Sequence, residues 1–186
     1  MNTNTIDELL DLVDENDNVI GSVSRKESNE KGLAFREVAV LIYDDLNRIL
    51  TQQRAKTKSH PLEWIISVAG HVTHGMSPLE VAHKELKEEL GFDTDLVFVQ
   101  KLKFVYKIKK HFVYLYIGRF PSFVKITLDP TESEAYRFVG REDLMTMEKA
   151  GEIIESSSKG TFNDFWDGKL KEKIDSKNFD TVNLKQ

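Results

Sequence analysis

Short apolar segments alternate with polar turns along most of the chain, which predicts a fold rich in β-strands. Near the N-terminus, Leu9 to Val13 and Val19 to Val23 flank the polar cluster 14–18, and this arrangement predicts a β-hairpin. Later strands are predicted at Val38 to Tyr43, Ile49 to Arg54, Trp64 to Ala69, Leu96 to Ile108, His111 to Phe120 and Ala135 to Val139. Strands, one helix, more strands and then helices, in this order, favour an α/β fold with a mixed β-sheet.

One helix has well-marked ends, in the segment between Gly70 and Phe92. Ser77 can cap its N-terminus, Pro78 suits its first turn, and Gly91 supplies the left-handed residue that ends it. The apolar stripe that should pack inward consists of Leu79, Ala82, Leu86 and Leu90.

In the second half of the chain, the pair Lys109-Lys110 is interpreted as a turn between two strands. The strand after this turn is apolar on both faces, which indicates a central position in the sheet. Residues 141–158 and 163–175 are predicted to be helical, whereas the polar ends 1–7 and 176–186 are predicted to be tails.

Three carboxylates share one face of the central helix, because Glu88 and Glu89 follow Glu85 at helical spacings of three and four. Like charges repel unless a cation neutralises them, and hard ions such as Mg²⁺ prefer carboxylate oxygens. Two lysines on the same helix favour an ordinary solvated surface instead. The loop that begins at Gly70 favours a binding site, since it brings backbone amides to the same patch.

This stretch resembles the Nudix box. From Gly70, five residues lead to Met76, and seven more lead to the run Lys84-Glu85-Leu86-Lys87-Glu88-Glu89-Leu90-Gly91-Phe92. The spacing and the final run of glutamates match the box, but Met76 stands in place of its first glutamate and Lys84 in place of its arginine. The similarity extends over roughly residues 12–145, to a branch related to isopentenyl-diphosphate isomerase.

The resemblance implies a Nudix-type α/β/α sandwich, and the length of 186 residues suits a single domain. It implies a metal-dependent hydrolase that cleaves a diphosphate linkage in a small-molecule substrate, such as a nucleoside diphosphate derivative. By the motif match, Glu85, Glu88 and Glu89 are the catalytic metal ligands for Mg²⁺ or Mn²⁺. Glu132 matches a glutamate that precedes the last strand and is a candidate general base or further ligand; surface charge is the alternative.

Several residues near the box are candidates for substrate contact. Arg54 and Lys58 follow a strand and precede the loop, where cations can meet phosphates. Gly70 begins the loop that would approach the substrate. His71 resembles a histidine that ligates metal in the isomerases, and hydrogen bonding within the loop is the alternative.

Two other activities can be weighed against hydrolysis. The isomerases use a catalytic cysteine just before the glycine-histidine pair, and that position is Ala69 here, which argues against isomerase activity. A non-catalytic ligand-binding or regulatory module of Nudix fold is the other alternative. Met76 and Lys84 favour such a module, whereas the three box glutamates oppose it.

Composition restricts partners and location. The net charge of −5 and the lack of a basic patch give no support to nucleic-acid binding. The lack of cysteine excludes disulfides, thiolate zinc sites and a cysteine nucleophile. No apolar run approaches the roughly 20 residues that span a bilayer, and the N-terminus lacks a signal-peptide pattern, so a cytoplasmic protein without a membrane partner is expected. The N-terminal hairpin offers an edge at which a homodimer could form.

Overall fold

The computed structural model describes residues 8–106 and 109–170, so the predicted tails 1–7 and 176–186 lie outside the described residues. Strands and helices follow one another along these residues as the α/β prediction requires. In chain order they are β1 (Leu9–Val13), β2 (Val19–Ser24), α1 (Arg25–Lys31), β3 (Phe35–Tyr43), β4 (Ile49–Arg54), β5 (Trp64–Ile65), β6 (Val68–His71), α2 (Pro78–Leu90), β7 (Leu96–Tyr106), β8 (Lys109–Arg119), β9 (Ser133–Val139), α3 (Arg141–Lys149) and α4 (Ser156–Trp166).

The main sheet is mixed and has the strand order β5-β4-β3-β8-β7, while β6 pairs with β3 and β9 pairs with β4. Strands β3 and β8 run parallel, and the other pairs are antiparallel. Strand β8 lies between two neighbours, so its predicted central position is confirmed. Strands β1 and β2 form the separate antiparallel hairpin that was predicted at the N-terminus.

Two apolar cores cover the two faces of this sheet. The side chains of β3 alternate between them, as expected for a strand buried on both sides. Val38, Val40 and Ile42 belong to the core beneath α2, which also contains Leu86. Leu41 belongs to the opposite core, together with residues of α3 and α4. The helices therefore lie on both faces of the sheet, in the sandwich arrangement that was predicted.

Helix α2 has the ends that its sequence predicts. Ser77 accepts a hydrogen bond from the backbone N–H of Glu80, and the Glu80 side chain accepts one from the backbone N–H of Ser77. This reciprocal pair is a capping box, which satisfies two N–H groups at the start of the helix. At the other end, Gly91 adopts the left-handed conformation with φ of 75°.

The inward stripe of α2 differs from the prediction at one position. Ala82, Leu86 and Leu90 are buried as expected, and so is Val81. Leu79 lies in the first turn and is 42% exposed, so its predicted burial is wrong. Its angular position suits the stripe, but Leu79 is not among the residues that pack in the core beneath α2.

The strand predicted for Trp64 to Ala69 is interrupted in its middle, which corrects the prediction of one continuous strand. Ser67 is fully buried there, and its hydroxyl donates to the carbonyl of Leu50 at 2.6 Å and accepts from the backbone N–H of Ile42 at 2.8 Å. These side-chain bonds replace ladder pairing, so that β5 pairs with β4 while β6 pairs with β3.

Three further predictions need correction. The helix predicted over 141–158 is wrong because the chain leaves the helix after Lys149, where Gly151 takes a left-handed φ of 82°. The helix predicted over 163–175 begins earlier, as α4 at Ser156, and its part beyond residue 170 lies outside the described residues. Lys109 and Lys110 belong to β8 rather than to a turn. Helix α1 was not predicted from the sequence.

Candidate active site

The N-terminal hairpin braces the loop that leads into α2. Leu10 forms a β-bridge with Thr73, and the backbone N–H of His74 donates to the carbonyl of Leu9 at 2.8 Å. The His74 ring nitrogen Nδ1 lies 2.8 Å from Oδ1 of Asp11, a buried carboxylate of the same hairpin. The loop is therefore fixed by backbone and side-chain contacts from residues far earlier in the chain.

A buried carboxylate attaches this hairpin to the sheet. The side chain of Asp17 is 1% exposed, and it accepts hydrogen bonds from Arg36 Nε at 2.7 Å, from Lys101 Nζ at 2.8 Å and from the Tyr114 hydroxyl. Burial alone would raise the pKa of Asp17, but the hydrogen bonds from Lys101, Tyr114 and Arg36 outweigh it and lower the pKa. Asp17 thus remains ionised and joins β3, β7 and β8 to the hairpin.

Glu89 is the most buried of the three box glutamates, with 7% of the residue exposed. Its Oε2 atom accepts a hydrogen bond of 2.5 Å from the side-chain amide of Gln52. Burial is the main cause that raises the pKa of Glu89 to about 8. The hydrogen bond from Gln52 and the charge of Lys58 oppose this rise, whereas the charges of Glu85 and Glu132 add to it. Near neutral pH, Glu89 therefore requires either a proton or a nearby cation.

Glu85 packs directly against Gly70. A Cβ atom at Gly70 would come within 2.6 Å of the Glu85 Cδ atom, so the glycine leaves the space that the carboxyl group occupies. The Glu85 side chain is 15% exposed, and burial raises its pKa. The charge of Lys84 lowers this pKa, while Glu88, Glu8 and Glu132 raise it further.

Glu88 differs from the other two box glutamates because it faces solvent. Its side chain is 56% exposed and forms an ion pair of 2.8 Å with Lys84, whose ammonium group also lies 3.7 Å from Glu85. Glu88 and Lys84 line an open hollow of about 930 Å³ on the outer face of α2. Lys84 thus contacts two glutamates from the position at which the box has an arginine, but it does so as a point charge.

Glu132 reaches the same group of charges from the loop before β9. Its carboxylate forms an ion pair of 2.5 Å with Lys58, and both side chains are about one-third exposed. The charges of Glu132 and Lys58 both act on Glu89. The structure therefore brings together Glu85, Glu89, Glu132 and Lys58, which lie on three separate segments of the chain.

The other two predicted contacts, Arg54 and His71, have partners of their own. The Arg54 guanidinium donates to the carbonyl of Ser59 at 2.8 Å and braces the loop after β4. His71 Nε2 lies 3.6 Å from Glu37, and its ring centroid is 5.4 Å from that of Phe35. Burial lowers the pKa of His71 to about 4. Neither residue is ion-paired with the box glutamates among the described contacts.

Sequence analysis did not select two buried polar residues beside Glu89, namely Gln52 and Ser133. Gln52 is 1% exposed and Ser133 is 3% exposed, and the Ser133 hydroxyl donates to Oε1 of Gln52. Gln52 falls inside the predicted strand Ile49 to Arg54, whereas Ser133 lies before the strand predicted at Ala135 to Val139. Gln52 follows the core residue Leu50 by two positions in β4 and so lies on the same face, and a polar side chain at that inward position is the signal that could have identified it.

The donor chemistry of the site suits a hard divalent cation, because its carboxylates raise one another's pKa and a cation would remove that penalty. With the side chains placed as they are, the described residues contain no group of three or more His, Asp or Glu that could hold a metal ion. Glu88 is the box glutamate whose side chain is occupied elsewhere, by Lys84.

Comparison with known proteins places this site within a family. The protein family described as "NUDIX domain" matches residues 34–157 of this chain. These residues include every element from β3 to α3 and the loop before α2. The chain belongs to the NUDIX family. The predicted Nudix box and the Nudix-type sandwich are therefore confirmed. Strand β6 and helix α2 are the NUDIX elements that carry Gly70, Glu85, Glu88 and Glu89.

Relatives of this NUDIX protein carry names of two kinds. It is 38% identical over 123 residues to "Isopentenyl-diphosphate Delta-isomerase" of Serratia proteamaculans, covering 62% of this chain and 68% of that protein. It is 31% identical over 147 residues to an uncharacterised Nudix hydrolase of Listeria monocytogenes, covering 77% of this chain and 86% of that protein. A Deinococcus radiodurans crystal structure superposes with a TM-score of 0.72 at 22% identity, covering 86% of this chain and 99% of that chain.

Among the helices that the structure describes, none is both long enough and apolar enough to cross a membrane.

Proposed function

We propose that this NUDIX protein hydrolyses a diphosphate linkage in a small molecule, with Glu85, Glu88 and Glu89 as ligands of a divalent cation. The observation that carries the proposal is the buried Glu89 carboxylate, whose pKa is raised to about 8 beside Glu85 and Glu132. Such a concentration of negative charge is unfavourable without a counter-ion. It becomes favourable when a cation and the substrate's phosphates share the site.

Mg²⁺ or Mn²⁺, when bound, neutralises diphosphate oxygens and lowers the pKa of a coordinated water. The protein's own groups supply the rest. Lys58 is the cation best placed to meet a phosphate, because it already lies within the cluster of glutamates. Glu132 is released from Lys58 when a phosphate takes its place, and it then serves as general base or as a further ligand. Gly70 leaves the space in which Glu85 is held.

Arg54 and His71 support the site rather than enter it. Arg54 braces the loop that carries Lys58, through its bonds to Ser59. His71 continues β6 past Gly70, and its pKa of about 4 keeps it neutral, so it adds no charge to the site near neutral pH. Their substitution should change substrate affinity through the position of neighbouring residues.

The direct test is turnover of a panel of diphosphates with Mg²⁺ and with Mn²⁺, including nucleoside diphosphate derivatives, dinucleotides and nucleoside triphosphates. Glu89→Gln removes the charge of the buried ligand and keeps its shape, so turnover should fall by about 100-fold or more. Glu30→Gln, at an exposed position of α1, is the matched control and should leave turnover unchanged. Turnover that persists in Glu89→Gln contradicts the proposal. Metal binding without turnover of any diphosphate would favour a ligand-binding module.

Isomerase activity is the second candidate, because a relative named isopentenyl-diphosphate isomerase is 38% identical. Against it, Ala69 precedes Gly70 in β6 and offers only a methyl group where a proton donor would be needed, and the chain has no cysteine. Isopentenyl diphosphate therefore belongs in the panel, with release of phosphate and rearrangement of the double bond measured separately. Double-bond rearrangement without hydrolysis would decide in favour of the isomerase.

A further inference from the structure

Gln52 connects two carboxylate-bearing segments of the site. Its amide nitrogen donates to Oε2 of Glu89 on α2 at 2.5 Å, and its amide oxygen accepts from the hydroxyl of Ser133 at the start of β9. All three residues are more than nine-tenths buried. Ser133 directly follows Glu132, so one glutamine side chain joins the two segments that carry Glu89 and Glu132.

The hydrogen bonds in this chain of groups run in one direction. When a cation is bound, Glu89 is ionised and only accepts hydrogen bonds, so the amide then turns its N–H toward Glu89 and its oxygen toward Ser133. The Ser133 hydroxyl donates to that oxygen and so completes the chain of hydrogen bonds in this orientation. A glutamine held in this way presents a fixed donor to one oxygen of Glu89 and leaves the other oxygen for a cation.

The backbone beneath Gln52 is held on both sides. Gln52 pairs with Ile65 of β5 and with Tyr136 of β9, so strand β4 is interior to the sheet at this residue. A donor on an interior strand is placed more rigidly than a donor on a loop. Residues that hydrogen-bond to a metal ligand without contacting the ion commonly weaken metal affinity by about 10- to 100-fold when they are replaced.

We propose that Gln52 is a positioning residue, which orients the Glu89 carboxylate for cation binding and, through Ser133, holds the segment that carries Glu132. This inference rests on the proposed function, because it takes Glu89 to be a metal ligand. It adds a residue that lies outside the box and touches no reacting group.

The test uses the full chain and Mn²⁺ alone, with free Mn²⁺ measured by electron paramagnetic resonance during titration. Gln52→Met keeps the length of the side chain and removes its donor, and it should weaken Mn²⁺ binding about 10- to 100-fold. Ser133→Ala keeps Gln52 but removes the hydroxyl that orients it, and it should cause a smaller loss. Gln53→Met is the matched control, since Gln53 lies next along β4 and donates to the carbonyl of Leu62 instead.

Two further readouts separate positioning from a general loss of structure. Circular dichroism should show Gln52→Met folded at the temperature of the titration, and the variant should reach the parent's stoichiometry at high Mn²⁺. Equal Mn²⁺ affinity in the parent and in folded Gln52→Met overturns the inference and leaves the proposed function standing. If Gln52→Met does not fold, unchanged affinity in Ser133→Ala overturns it. A parent protein that binds no Mn²⁺ overturns the proposed function and this inference together.

Discussion

Replacement of Gly70 with alanine should displace the Glu85 carboxylate while the fold persists. Gly70 lies in β6, paired with Val38, and its φ is not among the left-handed values of the described glycines. The backbone at this position therefore accepts an alanine. The obstacle is the side chain of Glu85, which occupies the space that a methyl group would need.

The size of the displacement follows from the contact distances. A Cβ atom at Gly70 would lie 2.6 Å from Cδ, 2.7 Å from Oε1 and 2.8 Å from Cγ of Glu85, whereas ordinary contact begins at 3.4 Å. The carboxyl group must therefore move by about 0.8 Å. A misplacement of about 1 Å can reduce activity by about 100-fold, so a loss of at least tenfold in turnover is expected. The loss of stability should be only about 1 kcal/mol, because the end of a flexible side chain can move aside.

Thermal melting, Mn²⁺ titration and diphosphate turnover should be measured on Gly70→Ala. The matched control is Gly21→Ala, another strand glycine, where the nearest side-chain atom, Leu12 Cδ2, is 4.0 Å from the new Cβ. Glu85→Ala combined with Gly70→Ala should melt like Glu85→Ala alone, since the shortened side chain no longer clashes.

Two results would refute this reasoning. Parent-like Mn²⁺ affinity and turnover in Gly70→Ala would mean that Glu85 does not need its present position. A loss of several kcal/mol that persists in the double variant would mean that the backbone, rather than Glu85, requires a glycine at residue 70.

Three other outcomes are expected. Asp17→Asn breaks a buried ion-pair network and should lower the free energy of unfolding in urea by about 3 kcal/mol. Asp45→Asn, in an exposed pair, should lower it by less than about 1 kcal/mol, and equal losses would contradict the role of burial. His71 has a pKa of about 4 in the folded protein, below its ordinary value of 6.5. As the pH falls, the unfolded chain therefore binds the proton first, and the parent should lose about 2 kcal/mol of stability between pH 6.5 and 5. His71→Gln should abolish that loss and His60→Gln, at an exposed position, should not; an unchanged pH profile in His71→Gln would oppose the argument. Met76→Glu restores a carboxylate to the box loop and should raise Mg²⁺ affinity roughly tenfold. Some stability should be lost, because Met76 packs against the core. Titration calorimetry that shows no gain in Mg²⁺ affinity would count against this prediction.

Local signals in the sequence were sufficient where the structural cause is local. Both ends of α2 follow from the residues that stand there, the side chain of Ser77 and the left-handed backbone of Gly91, so the sequence places this helix correctly. Helix α1 has the same pattern, with Ser24 as its N-cap and left-handed Gly32 at its end. It escaped prediction because its residues are almost entirely polar, and the apolar stripe that normally marks a helix is missing.

Features that depend on distant contacts could not be predicted in this way. The break between β5 and β6 exists because Ser67 bonds to the backbones of β3 and β4, and nothing in the segment itself indicates that. The inward position of Gln52 in β4 could mark it as a buried polar residue, but its contact with Glu89 arises only when α2 and β9 approach β4. The motif identifies the residues of the box, but it does not identify the residues elsewhere in the chain that hydrogen-bond to them.

The different burial of the box glutamates could have been predicted in part. At about 100° per residue, Glu89 falls between Val81 and Ala82 on the buried arc of α2, whereas Glu88 falls outside this arc. The phase of the helix therefore explains why Glu89 is enclosed and Glu88 is exposed. It does not reveal that Lys84 takes Glu88 as its partner, because a long side chain can choose among several neighbours.

The N-terminal hairpin shows that the segment matched by the family can be shorter than the segment that folds together. The NUDIX match begins at residue 34, after both hairpin strands. Yet Phe35, at the start of that match, forms a small core with Leu10 and Val23. The loop that enters α2 also forms backbone contacts with β1. A fragment trimmed to the matching residues would keep every glutamate of the box and lose one wall of the loop before it. The residues that mark this protein's ancestry are thus only part of those that give the box its shape.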